Sequence, residues 1–103
     1  MKVDYKEIFK LKVMLDKANI PYEFYDRSIF LPEYEHVDYQ IVVYKKNSDE
    51  RLISVVQGFA TYGNEKDLLE IMGCLTKKEY EVDTVLGWLT AKEVFKRIKK
   101  NYK

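Results

Sequence analysis

The sequence is poor in the residues that build disulfides, metal sites and nucleophilic catalytic sites. It contains one cysteine, Cys74, and one histidine, His36. A lone cysteine has no internal disulfide partner, so we expect a reducing compartment, the cytoplasm. A Ser, Thr or Cys nucleophile needs an adjacent base, and His36 is the only ordinary base at neutral pH. We therefore expect no enzymatic activity, no catalytic residues and no cofactor.

Neither sign of charge is in large excess, and no apolar run is long. Eighteen Lys and Arg residues against seventeen Asp and Glu residues leave a net charge of +1. This balance removes the electrostatic basis for nucleic-acid binding by the whole surface. The apolar runs extend over only a few residues, so we expect no membrane-spanning segment and no signal peptide. At 103 residues, we expect one domain, residues 1–103, around one core.

Aromatic residues are abundant. They make up 15% of the chain, and nine of them are tyrosines. A core of this size holds only some of these rings, so we expect several at the surface, where tyrosine is favoured at interfaces. The alternative is that the tyrosines line a twisted sheet, in which aromatic side chains pack well. Composition leaves both open.

The first half of the chain has the pattern of a helix followed by strands. Apolar residues at helical spacing predict a helix over residues 4–18, with Asp4 as N-cap and Glu7 in the position of a capping box. Asn19 can take a left-handed cap conformation, and Pro21 prevents the helix from continuing. Strands are predicted at residues 22–26, 39–44 and 52–59, and the last two of these are joined by a polar hairpin loop at 45–51.

Residues 27–37 are harder to assign. Ile29, Phe30 and Leu31 could extend a hairpin, whereas Pro32 weakens any assignment to a central strand.

The second half has helical patterns. Leu68, Ile71 and Met72 predict a helix over 65–74, and Gly73 weakens its end. Two capping boxes, Thr76 with Glu79 and Thr90 with Glu93, predict two further helix starts. The last helix has the clearest apolar face, made of Ala91, Val94, Phe95, Ile98 and Tyr102. The order of elements predicts an α+β domain: a small antiparallel sheet of two to four strands with an N-terminal helix and C-terminal helices packed on it.

The stretch TYGNEKDLLEIMG, residues 61–73, has a glycine turn before a predicted helix start, an arrangement that attracts phosphate. We interpret it as a joint between a strand and a helix. Gly63 can take the positive φ of the turn, and Asn64 can cap the free amides. Glu65 and Asp67 would repel an anion.

The segment from Pro32 to Asp38 contains three carboxylates beside His36, which raises the possibility of a metal site. In an extended segment, however, Glu33 and Glu35 share one face while His36 takes the other. A solvated acidic loop is the favoured interpretation, and we expect no metal.

The last helix has a basic face formed by Lys96, Lys99, Lys100 and Lys103. It could bind an acidic partner or a nucleic-acid backbone. The favoured alternative is that cations near a helix C-terminus stabilise the helix itself. Trp88 either packs on this helix as a hydrophobic staple or stands exposed as an interface anchor. Tyr62 and Trp88 complete the set of candidate binding residues.

Four strings, LKVMLDKANIPYEFYDR, YGNEKDLLEIMG, LTKKE and VLGWLTAKEVFKRI, carry a resemblance to a group of small proteins encoded by phages and prophages of Firmicutes. The resemblance covers most of the chain, although residues 28–50 match poorly. It implies a phage-associated accessory protein in the host bacterial cell. No activity and no site residues come with it.

Two hypotheses from different classes follow. The leading one is a small non-enzymatic accessory protein that acts by protein–protein binding, on a host or phage protein or on itself as a homodimer, and modulates a host factor or defence system. The alternative is a small-ligand or nucleic-acid binder that uses surface tyrosines for stacking and the basic C-terminal helix for phosphates. Nucleic acid is the less favoured partner, and no membrane is expected.

Overall fold

Alternating apolar side chains along successive strands build the central feature of the protein, an antiparallel sheet. The computed structural model describes residues 4–58, 61 and 64–103. The elements in chain order are α1 (Glu7–Lys17), β1 (Glu23–Asp26), β2 (Ile29–Leu31), β3 (Tyr34–His36), β4 (Asp38–Tyr44), β5 (Arg51–Gly58), a 3₁₀ turn (Asn64–Lys66), β6 (Leu69–Met72), α2 (Lys77–Val82), β7 (Leu86–Leu89) and α3 (Ala91–Asn101). The main sheet has the order β1-β4-β5-β6-β7, and every neighbouring pair is antiparallel. Strands β2 and β3 form a separate hairpin.

The predicted α+β class with helices on an antiparallel sheet is confirmed, but the predicted count of two to four strands is wrong. The main sheet of the described residues has five strands. The two unforeseen ones, β6 and β7, are four residues each. Each is too short to give an extended alternating pattern, so the sequence pattern did not distinguish them from a helix or a loop.

The helix predicted over 65–74 is therefore wrong. Leu69 and Ile71 are buried, whereas Met72 is 55% exposed, which is the two-residue period of a strand. Residues Ser54 to Val56 of β5 pair with this segment and provide partners for its backbone hydrogen-bonding groups. Gly73, with φ +103°, does not end a helix but opens the turn that follows β6.

Strand β7 contains one more residue than the stretch of β6 that it faces. Leu69 pairs with Leu89, and Ile71 pairs with Leu86, so Gly87 and Trp88 together oppose a single residue. Such a bulge re-aims side chains at the edge of a sheet. Trp88 takes a left-handed φ of 64° there, and its side chain is half exposed.

Helices α1 and α3 pack against each other and against the same face of the sheet. The predicted apolar face of α3 is confirmed, because Ala91, Val94 and Ile98 are fully buried and Phe95 and Tyr102 are partly buried. The core that they share with α1 and the strands includes Ile8, Leu11, Leu15, Ile41, Val43, Ile53, Val55, Leu69 and Ile71. Both predicted capping boxes, at Thr76 and at Thr90, are present.

The start of α1 differs from the prediction. The helix begins at Glu7, Asp4 is not its cap, and no side chain of the N-cap residue Lys6 satisfies the free amides. The carboxylate of Asp67 does so instead, accepting from the amides of Lys6 (2.9 Å) and Glu7 (3.2 Å). Glu7 in turn accepts from the amide of Ala91 at the start of α3, at 2.8 Å. Caps from distant segments therefore join α1 to Asp67 and to the start of α3.

Helix α1 ends as predicted, with Asn19 at a left-handed φ of 56°. No helix within the described ranges is long and apolar enough to cross a membrane.

Candidate functional site

The β2–β3 hairpin exposes its apolar residues. Ile29, Phe30 and Leu31, which we call the β2 triad, are 50%, 64% and 60% exposed. Successive residues of a strand point to opposite faces, so three consecutive exposed side chains mean that the rest of the described chain covers neither face of β2. Large apolar side chains clustered in this way mark interaction sites, whereas scattered ones do not.

The base of the hairpin is tied to the main sheet. The carboxylate of Asp26, the last residue of β1, accepts from the amide of Ser28 at 3.0 Å. Hydrogen bonds from the side chain and the amide of Ser28 lower the pKa of this carboxyl. The Ser28 hydroxyl accepts from the amide of Asp38 (3.0 Å), and the amide of Arg27 donates to the Asp38 carbonyl (2.8 Å). The hairpin thus extends from a fixed base at the β1–β4 connection.

Carboxylates flank the triad. Glu33 lies in the turn between β2 and β3, and Glu35 lies on β3 opposite Phe30. Both side chains are exposed. The interpretation of residues 32–38 as a solvated acidic loop is thus wrong in part, because Val37 is buried and both β3 and the first residue of β4 lie in this segment. Across the described residues, no group of three or more His, Cys, Asp or Glu side chains is placed to hold a metal ion.

The four lysines of the predicted basic face of α3 lie in three different surroundings. Lys96 and Lys100 line a groove of about 350 Å³ beside Leu75 and Thr76. Lys99 lies instead over the ring of Phe95, with 5.8 Å between its Nζ and the ring centroid. Lys103 is exposed and follows the last helical residue by two positions. The residues described along that groove include no tyrosine.

Arg97, adjacent to these lysines, is committed to an internal ion pair. Its guanidinium donates to both carboxylate oxygens of Glu79, at 2.8 and 2.7 Å. These bonds, followed by one from the amide of Thr76, lower the pKa of Glu79 to about 2. Glu79, which the sequence predicts as part of the capping box with Thr76, is thus also a structural partner of Arg97.

Cys74 is half buried in the turn after β6, not on a helix face, and burial raises the pKa of its thiol. A thiol of this kind is a poor nucleophile at neutral pH.

Trp88 is 51% exposed and lies outside the core cluster. The staple position before the cap of α3 is taken by its neighbour Leu89, which is buried in the same core as Val94. The predicted binding residue Tyr62 lies outside the described residues.

The tyrosines divide between the two alternatives. Tyr5 is buried, and Tyr39 packs edge-on against Phe9 at 5.1 Å and stacks on Phe24 at 5.7 Å. Tyr25 and Tyr80 are exposed, at 37% and 60%. Some rings thus consolidate the fold, while others remain at the surface.

Sequence reasoning did not mark the β2 triad as a site. The signal was present, because three consecutive large apolar residues stand before a proline and between acidic stretches, with no alternating polar residue. Spacing alone, however, indicates only a continuation of a hairpin.

Comparison of the chain with protein-family models, with curated proteins and with solved structures finds no match.

Proposed function

We propose that this chain is a small non-enzymatic binding protein that docks on a protein partner through the β2 triad. The single observation that carries the proposal is the exposure of Ile29, Phe30 and Leu31 on a hairpin whose base is fixed. The resemblance to phage and prophage proteins supports an accessory role in the cytoplasm of a host bacterium, where the partner is a host or phage protein that this chain modulates.

The energetics favour docking at this hairpin. Burial of a large apolar side chain contributes roughly 1.5–3 kcal/mol, so covering the exposed parts of the three side chains contributes about 3–5 kcal/mol. Within the described chain β2 and β3 pair only with each other, so each also has an open strand edge. An extended segment of a partner can add to such an edge through backbone hydrogen bonds.

The charges beside the triad define the partner surface. Glu33 and Glu35 are exposed next to the apolar residues. The complementary surface is an apolar groove with Lys or Arg at its rim, because opposite charges at the rim favour encounter and fix register. The experiment below distinguishes the two possible partners, an unrelated protein and a second copy of this chain.

The test uses tagged protein incubated with a Firmicutes lysate at low salt. We expect the wild type to retain a specific lysate protein, or an untagged copy of this chain added to the incubation. A variant with Ile29→Ser, Phe30→Ser and Leu31→Ser should retain neither. The matched control is Val82→Ser, which removes an apolar side chain that is 86% exposed on α2. Glu33→Lys with Glu35→Lys weakens the same retention.

Equal retention by the triad variant and the wild type would show that the hairpin is not the docking site. Loss with Val82→Ser to the same extent would show that retention reflects general stickiness.

A further inference from the structure

A second cleft lies where the α1–β1 connection, the β4–β5 turn and the end of α3 meet. Its volume is about 290 Å³, at the lower end of the range for small-ligand sites. Three rings line it, those of Tyr22, Tyr44 and Tyr102, and we call it the tyrosine cleft. The three come from segments far apart in sequence, which is why no local motif indicated the cleft.

The three rings of the tyrosine cleft do not pack on one another. Each is half buried. The ring–ring contacts found among the described residues join Tyr5, Phe9, Phe24 and Tyr39, and none joins two of the cleft tyrosines. The cleft tyrosines therefore retain aromatic surface that a ligand can contact.

A carboxylate fixes one of these rings in place. The hydroxyl of Tyr44 donates to Oε1 of Glu23 at 2.6 Å. An ionised carboxylate only accepts, so this bond fixes the direction of the hydroxyl and with it the ring. A ring held in this way loses little entropy when a ligand binds.

Charges of both signs lie around the cleft, so it has no net attraction for an anion. Glu23 lines it and is ionised, since bonds from Tyr44 and Tyr25 lower its pKa, and the nearby charge of Arg51 lowers it further. Lys45 also lines it, but its ammonium is 2.9 Å from Glu50 and is thereby paired. Asn47, at a left-handed φ of 58° in the β4–β5 turn, adds an amide that can bond to the polar edge of a ligand.

We propose that the tyrosine cleft binds a neutral planar heterocycle of nucleobase size, as found in a nucleoside. Aromatic faces select a planar ring, the Asn47 amide and the Glu23 carboxylate provide donors and acceptors for its edge, and the balanced charges around the cleft do not favour a phosphate. This site is separate from the β2 triad and does not depend on it.

The experiment is saturation-transfer NMR with adenosine as the probe and ribose as the matched non-aromatic control. We expect transfer to the adenine protons and none to ribose, and AMP binds no more tightly than adenosine. Removing one stacking ring weakens binding about tenfold, as for bases stacked on aromatic side chains. Tyr102→Leu and Tyr44→Leu should both do so, whereas Tyr44→Phe, which keeps the ring, has a smaller effect.

The control variant is Tyr80→Leu, because Tyr80 is 60% exposed on α2 and lies outside the cleft. Tyr102 packs on the core, so Tyr44→Leu decides the matter if Tyr102→Leu does not fold. No transfer to adenosine at millimolar concentration overturns the proposal, as does equal transfer to ribose or unchanged binding by folded Tyr44→Leu. None of these outcomes bears on partner docking by the triad.

Discussion

Arg97 of α3 holds Glu79 of α2 through paired hydrogen bonds of 2.8 and 2.7 Å, and the same guanidinium donates to the carbonyl of Cys74 at 3.0 Å. Helix α2 has no buried residue of its own. A six-residue helix is marginal without tertiary support. The capping box at Thr76 therefore stabilises the start of α2, and the ion pair with Arg97 ties the helix to α3.

This pair predicts a specific acid sensitivity. The carboxyl of Glu79 has a pKa of about 2 in the folded protein against an ordinary value of 4.5. A lowered folded pKa stabilises the fold above the unfolded value, and the contribution is lost as pH falls from about 4.5 through about 2. Because the pair is partly exposed and screened by solvent, we expect it to contribute about 1 kcal/mol. Urea unfolding between pH 6 and pH 2.5 should show a steeper decline for the wild type than for Glu79→Gln. Parallel curves would contradict this.

Asp67 predicts a long-range cap effect. Its carboxylate binds the first amides of α1 and also accepts from Nε2 of the fully buried Gln57 at 2.7 Å. We expect Asp67→Ala to lower the free energy of unfolding by about 1–2 kcal/mol. Asp4→Ala, at the position that the sequence favoured as cap, should cost less than about 0.5 kcal/mol. Chemical denaturation of both variants measures this, and equal losses would show that the cap is not at Asp67.

Gly73 predicts a strict requirement for glycine. Its φ is +103°, and a Cβ there would lie 2.4 Å from the backbone carbonyl oxygen of Leu52. We expect Gly73→Ala to cost at least about 2 kcal/mol and to lower Tm by about 10 °C. At Gly58 the nearest atom to a new Cβ is the carboxylate oxygen of Asp38, which can move. Gly58→Ala should therefore be the milder change in the same thermal melts, and the reverse order would contradict this account of the turn.

The β2 triad predicts substitutions that leave stability intact. Ile29, Phe30 and Leu31 are at least half exposed, so changing all three to serine should shift Tm by no more than about 3 °C. Leu69→Ser, at a fully buried position, should unfold or severely destabilise the chain. A large loss of stability in the triad variant would mean that these residues support the fold, which would remove the reason to regard them as a docking surface.

Elements with several turns or strong caps could be predicted from sequence. Helix α3 was identified from its apolar spacing and from Thr90 with Glu93, and β4 and β5 from their length and hairpin loop. The four-residue strands β6 and β7 could not be predicted from sequence. Strand β6 has only two inward-facing residues, Leu69 and Ile71, and its pairing with β5 and β7 is set by the rest of the sheet.

The cap of α1 and the candidate sites also lay beyond the sequence. The carboxylate that caps α1 is sixty-one residues from Lys6, so no local pattern indicates it. Exposure of the β2 triad depends on the rest of the described chain leaving the hairpin uncovered, and the tyrosine cleft depends on three distant segments meeting. Local spacing contains neither kind of information.

Hydrogen–deuterium exchange of the protein with and without its retained partner tests the central claim most directly. We expect slowed exchange of the amides of β2 and β3 on complex formation, with little change at the Lys96–Lys100 groove. If instead the hairpin amides exchange at the same rate and protection falls on α3 or on the outer face of the sheet, docking through Ile29, Phe30 and Leu31 is wrong.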